Sequence, residues 1–129
     1  MRAHLGSMGL GLGDHVAVAC GNEIHFVVAT LGALGAGCVV APINPYSPIN
    51  ELKRKVAPLD ARCIVIGAVA RDMLDHADEF DAPLIDMKTV ADSADAPSSV
   101  LDVDPDHLAF LLSTSGVSGT PKIAMLSHN

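Results

Sequence analysis

Tryptophan is absent, and one tyrosine and three phenylalanines are the only large rings in 129 residues. Half of the chain is hydrophobic all the same, so Ala, Val, Leu and Ile must fill any core. That favours α/β layers over a sandwich built around large rings. Basic residues are scarce in the second half. Asp72 to Asn129 holds two Lys/Arg against eleven Asp/Glu, whereas Met1 to Arg71 holds six against four. No basic stripe is left for a phosphate backbone to follow, which argues against nucleic acid as a partner. Lys53, Arg54 and Lys55 form the only basic cluster, and three charges on one helix read as a solvated face. There is no Cys-x-x-Cys pair. Cys20, Cys38 and Cys63 are odd in number, widely spaced and set in apolar stretches, as expected of buried reduced thiols in a cytoplasmic protein. The six histidines have no metal-ligand spacing. Phe26 to Ile43 carries no charge and is long enough to test as a membrane span. However, Gly32, Gly35, Gly37 and Pro42 divide it into a helix and a short strand, so no span is expected.

What remains is a regular alternation. Asp14 to Cys20 reads as a buried strand, and Asn22 as the cap of a helix from Glu23 to Ala36, ended by Gly37. Cys38 to Ile43 is a strand, and Ile49 to Leu59 a helix with Leu52, Val56 and Leu59 inward. Cys63 to Ile66 is a strand, and Val69 to Phe80 a helix with Met73, Leu74 and Ala77 inward. Pro83 to Asp86 is a short strand, and Thr89 to Asp106 an acidic surface loop. Leu108 to Leu112 and Ile123 to Leu126 are strands around the loop Ser113 to Pro121. Strand and helix in turn predict an α/β fold, a mostly parallel layered sheet with flanking helices.

The chemistry concentrates in the last loop, Ser113-Thr114-Ser115-Gly116-Val117-Ser118-Gly119-Thr120-Pro121-Lys122. Glycines allow a concave run of N–H groups that binds anions, and hydroxyls add donors. Lys122 adds a positive charge where polyphosphate could lie. Composition alone favours a plain Gly/Ser/Thr-rich hairpin turn, since such residues dominate turns. A Walker loop does not fit: Ile123 follows the lysine where Ser or Thr is required. Asp102, Asp104 and Asp106 imitate the start of an EF-hand, but His107 stands where glycine is required and Ser113 where glutamate is required. They read as acidic surface.

The loop resembles the phosphate-loop signature of the adenylate-forming (AMP-binding) superfamily: acyl-CoA synthetases, aryl-CoA ligases, luciferases and nonribosomal adenylation domains. That pattern is Thr-Ser-Gly-Thr-Thr-Gly-x-Pro-Lys-Gly followed by Ser/Thr-His. It stands here as Thr114 to Ile123 with Ser127-His128. Leu34 to Pro45 resembles the family's earlier glycine, strand and Pro-x-Asn segment. Gly11 to Ala17 resembles its Gly-Asp-x-Val-Ala strand start. Val117 and Ile123 depart from the pattern, removing a hydroxyl and adding bulk.

The resemblance implies that residues 1–129 are part of the large N-terminal domain, truncated at both ends relative to the family. Met1 to Leu5 is similar to the end of a family helix. It also implies that Thr114, Ser115, Gly116, Ser118, Gly119, Thr120 and Lys122 contact ATP phosphates. The intact family uses ATP with Mg²⁺, a carboxylic (here fatty) acid and CoA. The adenine pocket, the Mg²⁺ ligand, the ribose-binding aspartate and the catalytic lysine belong to later family segments, so no catalytic residue is expected here. The chain is then expected to be an inactive fragment of an acyl-CoA synthetase. The alternative is a non-catalytic protein of that fold that binds a nucleotide or a partner.

Overall fold

The structure is a computed structural model, and it describes residues 1–91, 100–114 and 122–129. Apolar, β-branched runs form the strands: β1 (His15–Ala19), β2 (Val39–Pro42), β3 (Cys63–Ile66), β4 (Leu84–Asp86), β5 (Leu108–Thr114) and β6 (Lys122–Ser127). The helices are α1 (Arg2–Ser7), α2 (Ile24–Gly35), α3 (Ile49–Val56) and α4 (Met87–Ala91). The strands make one sheet in the order β4-β3-β1-β2-β5-β6. Every pairing is parallel except β5 with β6.

Burial on both faces explains why the central strands lack polar alternation. In β1, Val16 and Val18 point into one layer, and Ala17 and Ala19 into the other. The first layer packs Leu5 of α1, Ala29 and Ala33 of α2 and Val90 of α4 on the sheet. The second packs Leu52 and Val56 of α3 with Met73. The result is a three-layer α/β/α unit. Ile64 and Ile66 are fully buried, and each such side chain contributes roughly 1.5–3 kcal/mol by leaving water.

Several elements differ from the sequence reading. Helix α3 stops at Val56 and passes into a 3-10 turn, Ala57–Leu59. Pro58 has no N–H to continue an α-helical ladder. The expected helix at Val69 to Phe80 is a run of 3-10 turns, Ala68–Glu79, broken at His76 (φ −121°, ψ 21°). Three residues per turn brings Ala70 and Met73 inward. Leu74 and Ala77, expected inside, are exposed. The residue that enters α2 is Glu23, not Asn22, and it makes no side-chain cap. Its carboxylate accepts from the Ala68 N–H at 3.1 Å and so caps the 3-10 run that follows β3. Strands β5 and β6 run on to Thr114 and back from Lys122, taking both ends of the expected loop into the sheet. Among the described residues, no helix is long and apolar enough to cross a membrane.

Candidate functional site

Strand β5 is parallel to β2, so its last residue, Thr114, and its partner Lys122 lie at the same edge of the sheet as the C-terminal ends of β1 to β4. Open α/β sheets bind ligands at that edge. Thr114 and Lys122 are opposite partners in the antiparallel register. Thr114 Oγ1 donates to the Lys122 carbonyl at 3.1 Å, which ties the two ends together. By strand alternation both side chains project to the face of Phe110 and Leu112. Both are exposed, and Lys122 makes no ion pair among the described residues. Ser115, Gly116, Ser118, Gly119 and Thr120 lie outside the described residues. Two of the seven expected phosphate contacts are therefore brought together, as the base of the hairpin.

The other face of that base holds what the sequence did not show. Ser113 and Ile123 line a cleft of about 60 Å³ with Pro42, Leu111, Arg54 and Lys55. The basic cluster is not uniform. Lys53 pairs with Glu79 at 2.6 Å and Lys55 with Glu51 at 2.6 Å. Arg54 makes no ion pair among the described residues and faces the cleft. Residue types could not have signalled this, because Arg54 and Ser113 meet only through the order of the strands.

The described base of the hairpin offers a hydroxyl and an ammonium group but no carboxylate, which does not fit a Mg²⁺ site. Among the described residues, no three His/Cys/Asp/Glu side chains could together hold a metal ion. In the acidic stretch, the Asp104 carboxylate accepts from the Asp106 N–H at 2.9 Å, closing a local turn. The three thiols are free and buried. Burial pushes Cys20 up to about 12, with the Glu23 charge adding to it. Burial also raises Cys38 to about 11 and Cys63 to about 12. All three stay protonated at neutral pH, so none is a thiolate nucleophile.

A family profile, that of the AMP-binding enzymes, matches residues 1–129. The chain belongs to the AMP-binding enzyme family. Pyochelin synthetase PchF of Pseudomonas aeruginosa is 34% identical over 128 residues, covering 99% of this chain and 7% of that protein. 4-Coumarate–CoA ligase 3 of Oryza sativa subsp. japonica is 31% identical over 136 residues, covering 98% of this chain and 24% of that protein. Among solved structures, the N-terminal domain of FACL13 from Mycobacterium tuberculosis superposes with a TM-score of 0.81 at 25% identity. That match covers 98% of this chain and 34% of that one. The chain therefore spans about a third or less of these proteins. Its mostly parallel sheet with flanking helices is the fold of the N-terminal domain of adenylate-forming enzymes. AMP-binding enzymes use ATP, generally with Mg²⁺, and carboxylate substrates, with CoA or a carrier protein as the thiol partner.

Proposed function

We propose that this chain is part of the N-terminal AMP-binding domain of an ATP-dependent ligase that turns a carboxylate into an acyl-adenylate and then a thioester. Its own contribution is to hold the ATP phosphates through Thr114, Ser115, Gly116, Ser118, Gly119, Thr120 and Lys122. The observation that supports this most is the Thr114–Lys122 base. It is tied across two strands, open to solvent, and set at the ligand-binding edge of the sheet. Preorganised donors aimed at the leaving pyrophosphate stabilise the charge that develops there. Pyrophosphate carries more charge as it leaves than as part of ATP, so such contacts favour the transition state. The acceptor thiol is CoA and the acid a fatty acid, a reading that rests on likeness to acyl-CoA synthetases. The buried protonated thiols suit a cytoplasmic setting.

Alone, the 129 residues are inactive, because one loop does not place a carboxylate against the α-phosphate. Two measurements test the reading. The purified chain should bind ATP weakly, and Lys122→Ala should remove most of that binding. It should show no carboxylate-dependent exchange of pyrophosphate into ATP. Exchange above the Lys122→Ala background would refute the inactivity. ATP binding untouched by Lys122→Ala would refute the phosphate role.

A further inference from the structure

A second cavity lies away from the hairpin. It opens at the C-terminal end of the sheet, between the loop from β2 into α3 and the 3-10 segment that follows β3. Beside it, β1 and β3 send their connections in opposite directions, α2 on one face and the 3-10 segment on the other. That switch point is where doubly wound sheets take ligands. The cavity holds about 350 Å³, within the range of small-molecule sites. Leu52 and Met73 form a buried apolar floor. Val69, Tyr46, Asp72 and His76 complete the wall. No lysine or arginine lines it.

Tyr46 is set in place from two sides. Its N–H donates to Asn44 Oδ1 at 3.0 Å. Its hydroxyl lies so close over Gly21 that a Cβ there would sit 3.0 Å from it and 3.1 Å from Val69 Cγ2. Most of the ring stays open, at 71% exposure. One lysine reaches the rim, Lys55 at 3.3 Å from Ser47 Oγ, but it is paired with Glu51 at 2.6 Å, and the remaining charges favour the negative sign. Asp72 is exposed and makes no ion pair among the described residues. His76 is held to Glu79 at 2.6 Å, and the same carboxylate takes Lys53 at 2.6 Å. Asp75 and Asp78 add negative charge on the same segment.

We propose that this groove binds a small amphipathic cation, an amine on an apolar body. The body lies on Leu52 and Met73, and the ammonium group sits between the Tyr46 ring and the Asp72 carboxylate. An aromatic face beside a carboxylate attracts a cation from both sides. The same groove disfavours a phosphate or carboxylate through its unpaired negative charge. The inference does not rest on the role of the hairpin.

The chain provides its own reporter, because Tyr46 is its only tyrosine and there is no tryptophan. Tyr46 emission and calorimetry would be followed against 2-cyclohexylethylamine, 2-cyclohexylethanol and 3-cyclohexylpropanoate, none of which absorbs with tyrosine. The amine should bind saturably, about fivefold tighter than the alcohol, and the carboxylate more weakly than either. Asp72→Asn, at an exposed position, should bring amine and alcohol within about twofold. Excess ATP should leave amine binding unchanged. The proposal fails if the carboxylate binds as tightly as the amine, or if Asp72→Asn leaves the preference intact. It also fails if ATP displaces the amine, or if no amine signal saturates by either method.

Discussion

The sheet has two unequal halves. Strands β1 and β3 are buried almost throughout, between helices on both faces. Strand β6 is exposed along nearly its whole length, with Met125 at 71% and Leu126 at 46%. Both halves are apolar in sequence, so hydrophobicity alone does not separate them. What separates them is cover. The connections between β1 and β4 lay α2, α3 and the 3-10 segment over the sheet, whereas among the described residues no helix follows β5. The first half therefore carries stability, and the second leaves its side chains open to solvent.

The sharpest test is a pair of truncations. Ile64→Ala in β3 should destabilise by about 3–5 kcal/mol, because it leaves a cavity in a layer that cannot collapse. Met125→Ala in β6 should change stability by less than about 0.5 kcal/mol. Urea unfolding of both variants measures the difference, and equal losses would erase the distinction.

Alkali should attack only the covered half, where the three thiols sit. Their folded pKa values, about 11 to 12, exceed the ordinary 9.0. Such groups stabilise the fold fully below the unfolded value, and that stability is lost as pH rises towards the folded values. Between pH 9 and 11 the fold should lose roughly 2 kcal/mol for each thiol, about 6 kcal/mol in all. A Cys38→Ala/Cys63→Ala double variant should flatten that slope, and urea midpoints across the range provide the check.

Gly67→Ala probes the joint between β3 and the segment after it. A Cβ there would run into the Glu23 carboxylate and crowd Cys20. The expected loss is about 1–2 kcal/mol. It should shrink in a Glu23→Ala background, in which the obstacle is gone. An unchanged loss in the double variant would place the strain elsewhere.

The smallest effect belongs to the exposed ion pairs. Hydrogen bonds from Lys53 and then His76 hold Glu79 below its ordinary 4.5, and Lys55 does the same to Glu51. A lowered folded pKa stabilises the fold above the unfolded value, and the benefit fades as pH falls below about 4.5. Lys53→Met should therefore shift thermal midpoints slightly at pH 7 and not at all at pH 2.5, as calorimetry would show.

Much of the fold was legible because central strands need apolar residues on both faces, and Val16 to Ala19 or Cys63 to Ile66 admit no other reading. The 3-10 segment was not legible. Asp72, Asp75 and Asp78 recur at a spacing of three, which suits both a 3-10 and an α-helical face. The Glu23 cap on Ala68 comes from a residue 45 positions away. The candidate loop was found through its pattern of residues, whereas Arg54 beside Ser113 and Tyr46 over Gly21 arise from tertiary contact alone. Strand pairing of Thr114 with Lys122 was also hidden, because Ser and Thr near glycine read as turn.

Strand β6 closes one end of the strand order, and this has a consequence in concentrated solution. Its outer row of N–H and C=O groups has no neighbouring strand among the described residues. Ile123, Met125 and Leu126 lie exposed along it, and Lys122 is its only charge. A bare, apolar rim of that kind is a template for a further strand from any source. The handling of this protein should therefore depend on concentration more than on temperature, and a single lysine introduced at Met125 should do more for its shelf life than any change in the core.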